Sequence, residues 1–233
     1  MNEHDYEQAM ARLKQIKLLL LTIFVFLTGS IFGQKSEQGG FTSFEEFKNN
    51  NPKFADSFTI LKRTTADIKA WGGNDYKVES ADELITKNII KREIWGIYKN
   101  DTLYLNGMSV TGLIGYVRVE ISGKYSFLRP SFPVNLKIQK ELGLNDPQYG
   151  YLFGAVGGAF QGAKMALKRI PLIYNMETGE KMLLTEPTMI KILEKYPDLR
   201  NEFNIETDKK NEGVLLKYLR KINEREEVTT EAK

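Results

Sequence analysis

Apolar and polar residues alternate with a period of two over much of residues 58–128, which indicates short β-strands. The clearest run is residues 116–121, Tyr-Val-Arg-Val-Glu-Ile, which has the pattern of a half-buried strand. Polar turn residues at 99–102 and 122–124 separate neighbouring runs, so successive strands are joined locally. Residues 172–174 and 182–184 flank a further turn. The pattern predicts an antiparallel sheet of short hairpin strands.

Helical signals lie on both sides of these strands. Ser43 and Glu46 have the spacing of a capping box, and the predicted helix carries Phe44 and Phe47 on one face. Thr185 precedes a second predicted helix, a shorter one follows Pro197, and an amphipathic helix is predicted for about residues 213–224. We therefore expect one α+β domain over residues 34–225, with residues 226–233 as a disordered tail.

Four glycines recur every fourth residue between these regions: Gly150, Gly154, Gly158 and Gly162. In a helix they would form one stripe, and we expect such a glycine-rich helix to pack on the sheet with the C-terminal helices. Each interior glycine costs about 1 kcal/mol relative to alanine, so another backbone should pack against the stripe. Alternatives are an interface in a homo-oligomer or with an envelope partner, insertion into a membrane, or a non-helical loop.

The N-terminal segment has the pattern of a secretory signal peptide. Residues 18–27 are apolar and uncharged, basic residues precede them, and small residues follow. The run is shorter than the ~20 residues that a membrane span needs. We expect cleavage between Gly33 and Gln34, with translation starting at Met10. A retained signal anchor or a buried helix remain the alternatives.

Composition excludes several functions. The chain has 33 basic and 30 acidic residues and a net charge of +3, which gives no reason to expect a nucleic-acid partner. It has no cysteine, and its one histidine, His4, lies in the leader. Catalytic devices and zinc sites built on these residues are therefore excluded from the mature chain, and we expect no metal and no cofactor.

Carboxylates and aromatic residues are the remaining candidates for a site. Trp95 lies within a predicted strand and is expected in the core. Trp71 precedes a glycine loop and is a candidate for an exposed aromatic residue that binds a sugar or peptide; the alternative is packing in the core or against the loop. A paired-carboxylate site could draw on acidic residues near turns, but no spacing selects two of them: Glu93, Asp101, Glu120, Glu177 and Glu180.

Several motifs together resemble a group of uncharacterised exported proteins of Bacteroidota. They are residues 43–48 with Pro52, residues 94–98 with 103–105, residues 123–127, the glycine segment, and residues 177–180 before a Pro-Asp-Leu helix. The resemblance implies location in the cell envelope and supplies no catalytic residue. We therefore expect an exported binding or structural module. The alternative is a carboxylate-based hydrolase acting on cell-surface glycans.

Overall fold

The structure is a computed structural model that describes residues 37–133, 135–144 and 166–231, with side chains described as far as residue 226. All the described residues belong to one compact unit. The predicted leader, the cleavage site at Gly33 and Gln34, and the four glycines of the stripe lie outside the described residues. What the sequence analysis predicted for these residues is therefore not tested by the structure.

The described strands form an antiparallel sheet with the order β10-β9-β8-β7-β6-β5-β1-β2, and the β3–β4 hairpin joins it where Tyr76 of β4 pairs with Tyr116 of β7. This confirms the predicted α+β class with short, locally connected strands. The strands are β1 (Gly39–Phe41), β2 (Phe54–Ala55), β3 (Phe58–Lys62), β4 (Tyr76–Ser80), β5 (Gly96–Lys99), β6 (Thr102–Asn106), β7 (Tyr116–Ile121), β8 (Tyr125–Leu128), β9 (Leu172–Asn175) and β10 (Lys181–Leu183).

The described helices lie between these strands and after the last of them. They are α1 (Phe44–Lys48), α2 (Thr65–Trp71), α3 (Lys87–Arg92), α4 (Gly107–Val110), α5 (Leu136–Glu141), α6 (Glu186–Leu193), α7 (Pro197–Asn204) and α8 (Glu212–Glu231). α8 continues seven residues beyond the predicted end at Glu224 and includes residues that the sequence analysis assigned to a tail. Glu226 contacts the sheet through Lys124, which gives this last part of the helix a tertiary partner.

The hairpins and helix caps follow their local sequences. Asn100 and Asp101 both have positive φ, 50° and 57°, as a two-residue hairpin turn between β5 and β6 requires. The hydroxyls of Ser43 and Thr185 accept bonds from the first turns of α1 and α6, as predicted. The carboxylate of Glu46 accepts bonds from the backbone and hydroxyl of Thr42, one residue before the cap.

One face of the sheet packs on an apolar cluster with α1 and α5. Its buried residues alternate along the strands: Leu103, Leu105, Val117, Val119, Leu128, Leu172 and Leu183. Trp95 is half-buried at the edge of this cluster, and its ring lies 5.9 Å from that of Phe44 and 6.0 Å from that of Phe47. The two phenylalanines therefore share a face, as predicted, whereas Trp95 packs against the cluster without being fully buried and lies just before β5 instead of within it.

Two separate groups of packed elements, which we call the two covers, lie on the opposite face of the sheet. At the β5 side, Ile97 and Tyr116 pack against Phe58 of the β3–β4 hairpin and Ile90 of α3. At the β8–β9 side, the C-terminal helices cover the sheet with a second cluster, as the sequence analysis expected: Phe127, Ile173, Met189, Leu193, Leu199, Phe203, Leu219 and Ile222. The two covers leave a strip of β7 between them. The side chains of Arg118 and Glu120 on this strip are exposed.

Three buried asparagines connect these parts, and we call them the amide anchors: Asn74, Asn106 and Asn223. Asn74 accepts a bond from the backbone N–H of Ser131 at 2.8 Å and donates to the carbonyl of Ile114 at 3.2 Å. Asn223 of α8 accepts from the N–H of Tyr125 and donates to the same residue's carbonyl, both at 3.0 Å. Each amide replaces the water that these backbone groups lose on burial.

Candidate functional site

The strip of β7 between the two covers forms the floor of an open groove of about 390 Å³. The β3–β4 hairpin lines it on one side, and Arg129, which bonds to the N-terminal end of α8, lines it on the other. Tyr76 contributes an aromatic wall. We call it the basic groove and define it by its charged residues: Lys62, Asp75, Arg118, Glu120, Arg129 and Arg169.

Two of the four cations in the basic groove are fixed by acidic partners. Arg129 donates to Glu212 of α8 through both terminal nitrogens, at 2.9 Å for Nη1, and to Glu120 through Nε at 3.3 Å. This bidentate bond holds the pKa of Glu212 below its usual range and raises the pKa of Arg129. The guanidinium also lies over the ring of Phe127, 4.8 Å from its centroid. Arg129 is therefore held rigidly.

Arg169 is the second fixed cation, and it reaches the groove from a distant part of the chain. Its Nε donates to Asp75 at 3.1 Å and its Nη2 bonds the same oxygen, Oδ1. Nη1 donates to the carbonyls of Ala166 and Lys168. The side chain is 17% exposed and lines the groove.

The other two cations of the basic groove are Lys62 and Arg118. Neither forms an ion pair with any residue in the part of the chain that the structure describes. Arg118 stands opposite Tyr104 in the β6–β7 register, so the two side chains share a face of the sheet. Burial raises the pKa of the Tyr104 hydroxyl, neighbouring Tyr76 adds to the shift, and the nearby charge of Arg118 opposes it. Lys62 and Arg118 thus present unpaired positive charge to the groove.

The carboxylates of the groove retain acceptor capacity. Asp75 bonds Arg169 through Oδ1, and Glu120 bonds Arg129 through Oε2. Among residues 37–133, 135–144 and 166–226, no donor reaches Asp75 Oδ2 or Glu120 Oε1. The groove therefore offers two unpaired cations to an anion and two carboxylate oxygens to hydroxyl or amide donors of the same ligand.

The five acidic residues considered for a hydrolase lie at four separate places in the structure. Glu93 caps the end of α3, Asp101 lies in the β5–β6 turn, and Glu120 lies in the groove. Glu177 bonds Lys124 at 3.0 Å and Glu180 lies 3.6 Å from Lys191, both at the β9–β10 turn. Only Glu120 of these five lines the basic groove. The described residues also contain no group of three or more acidic, histidine or cysteine side chains that could hold a metal ion.

Trp71, the binding candidate, is the last residue of α2, and its side chain is 77% exposed. This exposure disagrees with the alternative of packing in the core or against the loop, and the binding role stays a prediction. The loop that follows it leads through Asn74 to Asp75 of the basic groove. Within the described ranges, no helix is both long enough and apolar enough to span a membrane.

Sequence reasoning missed the basic groove. The one signal for the groove in the sequence was the alternation of residues 116–121, which placed Arg118 and Glu120 on the polar side of a half-buried strand. Nothing in the sequence connects them with Lys62 or Arg169, because those residues reach the groove through the docking of the β3–β4 hairpin and through an ion pair between residues 94 positions apart.

Comparison with known proteins identifies a family without assigning an activity. The profile of a family of unknown function (DUF6563) matches residues 39–226, which is most of the chain. The chain belongs to that family. No curated protein matches it, and no solved structure matches it either. The match agrees with the predicted resemblance to an uncharacterised family.

Proposed function

We propose that this chain is an exported, non-enzymatic binding protein of the cell envelope that holds an anionic group in its basic groove. The observation that carries the proposal is the pair Lys62 and Arg118, two cations that line one groove without an ion-pair partner among the described residues. Both side chains are exposed, so an anion could bind them without displacing a protein partner. Arg129 and Arg169 add fixed donors around the same space.

A binding role fits the chemistry of the groove better than hydrolysis. Glycoside hydrolysis needs one carboxyl group that can give up a proton and a second that acts as nucleophile or base. Both groove carboxylates, Asp75 and Glu120, already accept hydrogen bonds from arginines. A carboxylate held in this way is positioned to accept further hydrogen bonds from the hydroxyl or amide groups of a ligand.

Export is the second part of the proposal. It is supported by the uncharged run at residues 18–27, the basic residues before it, and the resemblance to exported Bacteroidota proteins. The test is fractionation of cells that express the full chain, followed by mass spectrometry of its N-terminus. We expect a species in the periplasm or envelope that begins near Gln34. Uncleaved chain confined to the cytosol would contradict export.

Anion binding is tested with inorganic phosphate, sulfate and acetate as probes, titrated into the isotope-labelled protein and followed by nuclear magnetic resonance. We expect shifts that concentrate on the signals of β7 and β3, and a loss of saturable binding in the double variant Lys62→Gln with Arg118→Gln. The matched control is Lys140→Gln with Arg200→Gln, since both of those cations are exposed outside the groove.

Two outcomes would contradict the groove as the site. One is an equal loss of binding in the control variant, which would indicate a diffuse effect of net charge. The other is the absence of saturable shifts with all three anions at low ionic strength, where electrostatic binding is strongest.

A further inference from the structure

A second cavity lies next to the basic groove on the same sheet face. This neighbouring cleft has a volume of about 310 Å³ and is lined by Phe58, Thr59, Ile60, Lys99, Asn100 and Tyr104. Tyr104 lines this cleft and Tyr76 lines the basic groove, and their rings are in edge contact with centroids 5.1 Å apart. The two cavities therefore meet at the Tyr76–Tyr104 pair.

The two cavities differ in chemistry. The basic groove carries four cations and two carboxylates. In the neighbouring cleft the one charged side chain among the lining residues is Lys99, and Asp56 bonds its ammonium at 2.9 Å. The remaining polar groups there are the hydroxyl of Thr59, the amide of Asn100 and the phenol of Tyr104. An elongated ligand in both cavities would therefore be anionic at one end and neutral but polar at the other.

The junction of the cavities is aromatic. Tyr76 and Tyr104 are half-buried, so part of each ring faces the solvent of the cavities. The C–H groups on one face of a sugar ring pack well on an aromatic face, whose electron density is negative. Hydroxyl groups of the same ring match the acceptor oxygens Asp75 Oδ2 and Glu120 Oε1. This combination suits a sugar better than a simple anion.

The cavities offer an extended peptide few backbone partners. Peptides that bind by strand addition pair with the backbone groups of a sheet edge. The backbone groups of β6 and β7 already pair with each other, and among the described strands that line the two cavities β3, paired with β4 alone, is the one with an unpaired edge. Recognition in the basic groove would rest on side chains, as it does for glycans.

We propose that the anion of the basic groove is a substituent of an oligosaccharide whose further sugar units extend across the Tyr76–Tyr104 pair into the neighbouring cleft. This inference rests on the proposed binding function and adds the class of ligand. The acidic group, whether a uronic acid carboxylate, a sulfate ester or a phosphate ester, meets Lys62 and Arg118. The following unit packs on Tyr104 and bonds Thr59 or Asn100.

The test uses the full chain and a panel of uronic-acid, sulfated and phosphorylated oligosaccharides of one to four units, with neutral counterparts and hexaglutamate as references. Calorimetry measures the affinities. We expect at least one acidic tetrasaccharide to bind about tenfold or more tightly than its monosaccharide and its neutral form. Tyr104→Leu should weaken the tetrasaccharide about fivefold and leave the monosaccharide within twofold. Arg118→Gln should weaken both.

Tyr98→Leu is the matched control, because Tyr98 lies on the opposite face of the adjacent strand and packs on the other apolar cluster. Thr59→Val tests the cleft without loss of an aromatic ring, since Thr59 is exposed on β3. Thermal melts show whether each variant is folded. If Tyr104→Leu unfolds the protein, the affinities of Thr59→Val test the glycan inference instead. We expect Thr59→Val to weaken the binding of ligands of two or more sugar units and to leave that of monosaccharides unchanged.

The outcomes separate the two proposals. If acidic sugars bind no more tightly than inorganic phosphate, and still through Arg118, the anion site stands and the glycan inference is wrong. Hexaglutamate that binds as tightly as the best acidic sugar would replace the glycan with an acidic peptide. If neither simple anions nor acidic sugars depend on Arg118, the proposed function fails as well.

Discussion

The amide anchors and the basic groove are both polar regions on or beside the same sheet, yet they differ in how far their hydrogen-bonding capacity is used. The Asn106 side chain donates to three carbonyls, at 2.7 to 3.3 Å, and accepts from the N–H of Met108 at 3.0 Å. In the groove, Lys62 and Arg118 have no ion-pair partner among the described residues. Polar groups that hold the architecture are saturated, whereas groups suited to a ligand keep capacity. Mutations should therefore separate stability from binding.

The largest effect is expected at Asn106, which is 2% exposed. Asn106→Ala removes the amide donor that bonds the carbonyls of Ile90, Lys91 and Ile94, of which Ile90 keeps its bond from the hydroxyl of Tyr116. We expect the free energy of unfolding to fall by about 3 kcal/mol, because buried backbone groups lose their bonds without gaining water. Urea denaturation measures the change.

Asn201→Ala is the control for this prediction, since Asn201 is an exposed residue of α7. It should change the free energy of unfolding by less than about 0.5 kcal/mol. An Asn106→Ala variant that loses no more than this control would show that the amide is not an anchor, and the contrast with the groove would then disappear.

A smaller effect on the free energy of unfolding is expected for a substitution at Glu226, where α8 contacts the β7–β8 hairpin. Burial alone would raise the pKa of Glu226, but hydrogen bonds from Tyr196 and Lys124 outweigh it and hold the pKa below its usual value. The folded state therefore gains stability from ionised Glu226 above the unfolded pKa, and loses it as the pH falls through the folded value.

Glu226→Gln should lower the free energy of unfolding near neutral pH by less than about 1 kcal/mol, because these groups are partly exposed and screened by solvent. It should also flatten the loss of stability between about pH 5 and pH 3. Denaturation at a series of pH values measures both. The control is Glu224→Gln, a change at an exposed residue of the same helix, which should keep the wild-type dependence of stability on pH. The same pH dependence in both variants would contradict the role of Glu226.

The smallest effect on stability is expected in the basic groove itself. The double variant Lys62→Gln with Arg118→Gln removes two charges that stabilise no described partner, so the free energy of unfolding should stay within about 0.5 kcal/mol of the wild type. Anion binding should nevertheless be lost. A fall in stability comparable to that of Asn106→Ala would place these cations among the structural groups and remove the basis of the binding proposal.

The sequence by itself determined the local elements of this protein. Alternation predicted β7, the turn residues at 100 and 101 predicted the β5–β6 hairpin, and Ser43 and Thr185 predicted the starts of α1 and α6. These features depend on residues within a few positions of one another, where backbone sterics and short hydrogen bonds decide the conformation. The α+β class followed from their succession.

The tertiary structure alone decided where the basic groove lies and which residues form it. Lys62, Asp75, Arg118 and Arg169 belong to four separate stretches of sequence, and the docking of the β3–β4 hairpin and the Arg169–Asp75 ion pair bring them to one sheet face. It also decided that Trp71 is exposed and that α8 continues to Glu231. Such features depend on contacts between residues far apart in sequence, which no local pattern specifies.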